Sequence, residues 1–165
     1  MKRIAKLCIL PVILSQTVHA GTQGDYEIKS GLGVAIDWAT YAGDDFTIQA
    51  TYNTHKFTGA IGGNYERNRF ANTGGNSNWF EWRGHLGLRH QLESKLFLTV
   101  GATGAYSTNT NDPYEVGPYV GGDYYLTRQA FISFKILPYA KEKLWNGNTA
   151  NTFFEQGSIA LNYTF

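Results

Sequence analysis

Four residues in one short stretch share the spacing that lets side chains act together: Glu81, Arg83, His85 and Arg89. Their separations are all even. In an extended strand successive side chains point to opposite sides, so these four lie along one face. A carboxylate, two guanidinium groups and an imidazole in a row suit two kinds of chemistry. They can form a paired charge network, the form in which buried charge is tolerated. They can also move protons, for catalysis or conduction, which requires a water-filled cavity. Asp37, Glu115, Asp123 and Lys135 hold the corresponding face of other segments, which brings the set to eight ionisable residues. The remaining histidines beyond residue 20 are His55 and His90, in or beside turn-like stretches. None of the three has a serine within three residues, and no G-x-S-x-G run presents a nucleophile.

Metal and cofactor patterns are missing from the sequence. Its one cysteine is Cys8, and no two histidines have ligand spacing. Asp44 and Asp45 read as a turn pair. The clusters Gly62-Gly63, Gly74-Gly75 and Gly121-Gly122 read as strand kinks or loop flexibility, and not as phosphate cradles. The sequence therefore predicts no catalytic, cofactor or metal site.

What must position the ionisable face is a set of strands. Eight segments alternate with a period of two: residues 31–41, 46–52, 57–65, 79–89, 96–106, 114–124, 130–138 and 153–165. In 31–41 the apolar face is Leu32, Val34, Ile36 and Trp38, opposite Gly33, Ala35 and Asp37. In 79–89 it is Phe80, Trp82, Leu86 and Leu88, opposite the ionisable row. The lengths approach the roughly 9–11 residues of a tilted membrane strand. Tight turns fall at 53–56, 91–95 and 126–129. Longer connections rich in Asn, Thr and Gly fall at 67–78, 107–113 and 141–151 and read as loops. The connection at 42–45 is short. The long loops offer Arg67, Arg69, Phe70, Lys141, Lys143 and Trp145 as surface-contact residues.

The amino terminus has the order of an export signal. Lys2, Arg3 and Lys6 precede an apolar core at 7–14, and Val18-His19-Ala20 makes a small-x-small cleavage site. Residues 1–20 are thus expected to be removed, leaving a single domain over 21–165. Cys8 lies within the apolar core and not at the cleavage point, which excludes lipidation and leaves the mature chain without disulfides. Removing three of 14 basic residues against 13 acidic ones gives a mature net charge of −2, with no run of Lys or Arg that would suit nucleic acid.

Alternation alone does not say which face is inside. Two features assign the apolar face to lipid. The other face mixes small residues with charges, which suits a narrow eight-stranded interior. Aromatics gather at strand ends: Tyr52, Phe57, Tyr124, Tyr163 and Phe165 at one rim, Trp38, Phe46, Tyr65, Phe80, Tyr106, Tyr114 and Phe153 at the other. Such girdles mark the two interfaces of a membrane barrel.

The final segment has apolar residues at alternate positions, Ile159, Leu161 and Tyr163, and ends on Phe165. This ending resembles the carboxy-terminal assembly signal of outer-membrane proteins. With the eight amphipathic strands, the chain over 21–165 resembles the small eight-stranded outer-membrane β-barrel proteins of Gram-negative bacteria. The resemblance implies an all-β, antiparallel up-and-down barrel in the outer membrane. It implies as partners outer-membrane lipids, lipopolysaccharide, periplasmic chaperones and the outer-membrane assembly machinery, with the protein acting as a monomer. The leading functional expectation is a structural or surface-interaction role with a closed lumen. The alternatives are a lipid-modifying enzyme, since some barrels of this kind act on lipid A or phospholipids with Ser and His, and a narrow porin-like channel.

Overall fold

The computed structural model describes residues 27–39, 46–67, 78–108, 114–143, 146–154 and 156–165. The expected export signal, the connection at 42–45, and Arg69, Phe70 and Trp145 lie outside the described residues. Ten strands follow in order: β1 (Gly31–Ala39), β2 (Phe46–Asn53), β3 (Phe57–Arg67), β4 (Asn78–Glu93), β5 (Leu96–Ser107), β6 (Tyr114–Tyr125), β7 (Ala130–Leu137), β8 (Ala140–Lys143), β9 (Thr149–Thr152) and β10 (Gln156–Thr164). Every pairing is antiparallel. Neighbours in sequence pair from β1 to β7, then β7 pairs with β10 and β10 returns to β1, so eight staves close into a barrel. The seam runs from Gly33 opposite Thr164 to Ala39 opposite Ser158.

Alternating residues create this sheet, and its sense is inverted relative to a water-soluble protein. Leu32, Ile48 and Leu86 are each about two-thirds exposed or more, whereas Thr47 and Thr164 are fully buried. A continuous apolar surface of this extent has no stable existence in water. In hydrocarbon the closed ladder is what removes the unpaired N–H and C=O groups that an edge strand would leave. The apolar face points outward, as the girdle and small-residue arguments require.

Two expectations need correction. Residues 141–151 are not a plain loop: they carry β8 and β9, which pair with each other from Ala140 opposite Thr152 to Lys143 opposite Thr149. β8 also pairs with β6, Tyr114 opposite Lys143 and Val116 opposite Lys141. The terminal hairpin is thus β7 and β8 against β9 and β10, interrupted at 138–139 on one side and at 153–154 on the other. Pro138 cannot donate to the ladder, and Phe154 adopts a left-handed φ of 54°. The alternation read through 153–165 therefore begins only at Gln156, and Phe153 and Phe154 are both exposed. The second correction concerns β4. It continues to Glu93 through a register shift between Gln91 and Glu93, so the turn at 91–95 contracts to Ser94 and Lys95.

A short strap precedes β1. The Lys29 N–H donates to the Arg128 carbonyl at 2.8 Å. Ile28 is buried with Phe97, Tyr125 and Phe131 at the barrel end that holds β1's start and β10's finish.

Candidate functional site

Inside the barrel the ionisable residues fall into two polar layers separated by a tyrosine. The layer nearest the chain termini is built on Arg89, buried because its position on β4 faces inward at the level of Phe97 and Asp123. Its guanidinium pairs with Asp123 Oδ2 at 2.9 Å and donates to the Tyr125 hydroxyl at 2.9 Å and to the Thr54 carbonyl at 2.8 Å. It lies 4.6 Å from the Phe97 ring centre and 5.3 Å from those of Tyr125 and Phe131. Charge, hydrogen bonds and ring quadrupoles all compensate the loss of water. The network continues sideways: Ser133 Oγ donates to Asp123 Oδ1 at 2.6 Å, and Asn162 Nδ2 donates to Ser133 Oγ at 3.0 Å. One polar chain thus ties β4, β6, β7 and β10 together, while Ile28 and three rings fill the space beside it.

Tyr119 occupies the middle. Its ring lies over two glycines on neighbouring strands. A Cβ on Gly87 would stand 2.0 Å from the Tyr119 hydroxyl, and one on Gly101 would stand 2.8 Å from Cε1. Here glycine provides space, not backbone freedom. The His85 ring meets Tyr119 edge-on at 5.8 Å, and His85 Nε2 lies 3.5 Å from Thr58 Oγ1.

The outer layer holds the other ionisable residues. Glu81 and Arg83 form an ion pair two residues apart on β4. Gln49 Nε2 donates to Asp37 Oδ2 at 3.1 Å, and Gln156 Nε2 donates to Glu142 Oε2 at 3.2 Å. Glu115 and Glu142 are register partners. Asp37, Arg83, His85, Glu115 and Lys135 line a cavity of about 20 Å³. That is space on the scale of water molecules.

The structure therefore places Asp37, Glu81, Arg83, His85, Arg89, Glu115, Asp123 and Lys135 all in the lumen. It divides them between two levels and does not gather them at one point. Ile159, Leu161, Tyr163 and Phe165 line the outward face of the last strand and beyond, each 43–61 % exposed. Lys141 and Lys143 lie on β8, and Arg67 ends β3. His55 and His90 are exposed; the His55 ring lies 6.0 Å from that of Phe97 at the barrel end. Among the described residues no group of three or more His, Cys, Asp or Glu side chains could hold a metal ion. Tyr119, Gln49, Ser133, Asn162, Glu142 and Ile28 were not singled out by sequence. For the first four the inward parity was a usable signal. Glu142 sat in an apparent loop, and Ile28 lies before any strand.

No family model matches the chain, and no curated protein sequence matches it. Solved structures do. The solution structure of outer membrane protein H (OprH) from P. aeruginosa in DHPC micelles matches with a TM-score of 0.58 and 14 % identity, covering 82 % of this chain and all of that one. Ail from Yersinia pestis, solved in a phospholipid bilayer nanodisc, has a TM-score of 0.47 and 10 % identity over 83 % of this chain and all of its own. Neisserial surface protein A (NspA) has a TM-score of 0.44 and 15 % identity over 81 % of this chain and 94 % of its own. With eight closed antiparallel staves, a polar interior and an apolar exterior, and on the first of these superpositions, the chain has the fold of the small eight-stranded outer-membrane β-barrels.

Proposed function

We propose that the protein is an integral outer-membrane barrel with a closed lumen, serving the cell envelope through its lipid contacts and its outer rim. One observation carries the reading: the inward face of the staves is lined by buried polar and aromatic side chains, while the exterior is apolar. The small space among Asp37, Arg83, His85, Glu115 and Lys135 supports a lumen too narrow for a solute. His85 faces inward against Thr58 and Tyr119, a setting that favours a role in packing over one in acyl chemistry.

Export belongs to the same proposal, with cleavage after Ala20 and recognition of Ile159, Leu161, Tyr163 and Phe165 by the assembly machinery. The proposed partners are outer-membrane lipids and lipopolysaccharide. The test is cell fractionation with mass spectrometry of the recovered protein, followed by acyl analysis of lipid A and phospholipids from cells with and without it. The expected result is an outer-membrane protein beginning at Gly21 and an unchanged acyl pattern. Recovery in the soluble periplasm would overturn the membrane assignment. A defined gain or loss of one acyl chain would overturn the non-enzymatic one.

A further inference from the structure

The register of β8 turns two lysines toward the membrane. Cross-strand partners point to the same side of a sheet. Val116 faces outward and is 49 % exposed, so Lys141, opposite it, faces outward as well. Tyr114 and Lys143 are the next outward pair. On the other flank Asn151 stands opposite Lys141 and Thr149 opposite Lys143, both exposed. The same face carries Tyr139, whose hydroxyl donates to Asn151 Oδ1 at 2.9 Å, and Phe153, whose ring centre lies 5.4 Å from that of Tyr139. Glu142, between the lysines, turns inward to Gln156. Among the described residues no carboxylate shares the outward face of β8, β9 or the end of β6 that joins them, and neither lysine has a hydrogen-bond or ion-pair partner.

Height decides what this patch meets. A membrane strand tilted by about 40° climbs roughly 2.5 Å per residue, and the apolar band of such barrels is about 25 Å tall. From Tyr124 at the inner girdle to Tyr114 the chain of β6 spans that band. Lys143 stands level with Tyr114 and Lys141 one tier below it. The ammonium groups are therefore on the lipid-facing wall at the outer interface, and not on a loop in open water. At this depth a lysine extends along the wall to reach an anionic headgroup.

We infer that the outward face of β8 and β9 is a seat for a phosphorylated glycolipid of the outer leaflet: Lys141 and Lys143 hold sugar phosphate, Thr149 and Asn151 face the sugar, and Tyr139, Phe153 and Phe154 pack on its acyl chains. The paired ammonium groups select the phosphate. The hydroxyl and amide beside them distinguish a saccharide headgroup from a glycerol one. The inference rests on the outer-membrane reading above.

The test uses the mature chain refolded into phosphatidylcholine vesicles, with heat-modifiable electrophoretic migration reporting insertion. Lipopolysaccharide, the same lipopolysaccharide after enzymatic dephosphorylation, and phosphatidylglycerol are offered in turn. Bound lipid per barrel is counted by native mass spectrometry. Binding of the phosphorylated glycolipid is expected to fall by about tenfold in Lys141→Ala/Lys143→Ala and to persist in Lys141→Arg/Lys143→Arg. The dephosphorylated form is expected to bind the wild type as weakly as the phosphorylated form binds the alanine variant. Undiminished binding to the inserted alanine variant overturns the seat. Equal binding of phosphatidylglycerol overturns the glycolipid assignment. Failure of the wild type to insert overturns the membrane reading itself, and this inference with it.

Discussion

Arg89 concentrates the energetics of the lumen in one side chain. It is surrounded by an acid, a hydroxyl, a carbonyl and three rings. Arg89→Ala leaves Asp123 buried without its cation. Loss of one partner of a buried pair costs about 3–5 kcal/mol, whereas replacing both with apolar residues of similar size is close to neutral. Urea unfolding in vesicles, followed by tryptophan fluorescence, is therefore expected to show a large loss for Arg89→Ala and a much smaller one for Arg89→Met/Asp123→Leu. Equal losses would show that the aromatic box, and not the ion pair, dominates. Gly87 gives a second residue-scale prediction. A methyl there collides with the Tyr119 hydroxyl and approaches the Val100 carbonyl at 2.9 Å. Gly87→Ala is expected to cost about 1–3 kcal/mol, with part recovered in Gly87→Ala/Tyr119→Phe; an additive pair measured in the same assay would contradict the seat. Parity along each strand told which of these residues face inward. It could not tell that Phe97, Tyr125 and Phe131 enclose Arg89, or that Tyr119 spans two glycines. Those contacts join four strands, and their relative register is invisible to a period of two.

At the scale of elements, the eight staves were legible because each is long enough to show its alternation and is bounded by turn residues. The kinked end of the last hairpin was not. Pro138 breaks the ladder, Phe153 and Phe154 break the alternation, and the Thr and Asn of Thr149–Thr152 continue the loop-like composition before them while forming a strand. Of these short polar strands β8 is held by pairing with β6 and β9 by pairing with β8, and their own residues give no sign of it. The final stave bears a prediction of its own. The Phe165 N–H donates to the Leu32 carbonyl at 2.9 Å, and its ring meets Tyr163 at 5.9 Å on the lipid side. Phe165→Asp puts a charge into the inner girdle and alters the proposed assembly signal. Its outer-membrane level is expected to drop several-fold by immunoblot while synthesis is unchanged. A normal level would show that assembly does not read this residue.

For the whole molecule, the distribution of polarity is the decisive property. An exterior of Leu, Ile, Val and aromatic side chains with buried Asp, Glu, Arg and Lys fits a hydrocarbon surround and no other. On the proposed closed-lumen reading, refolded protein in planar bilayers is expected to give no stable conductance steps. Reproducible steps would mean that the inward side chains move aside and would revive the channel reading. Inside-out polarity was legible from sequence through the girdles and the small inward residues, whereas the strap before β1, with Ile28 buried against Phe97, Tyr125 and Phe131, was not.

The seam between β1 and β10 has a consequence in time. Gly33 and Thr164 face one another although more than a hundred residues of chain lie between them. No local event can close that loop, and contacts so distant in sequence make folding slow. Until β10 has been synthesised and exported, the most that β1 to β7 can form is an open sheet with two unpaired margins, the species most prone to stick to its own kind. On the proposed export route, the order of the strands thus calls for a chain kept unfolded in transit and folded only at its destination.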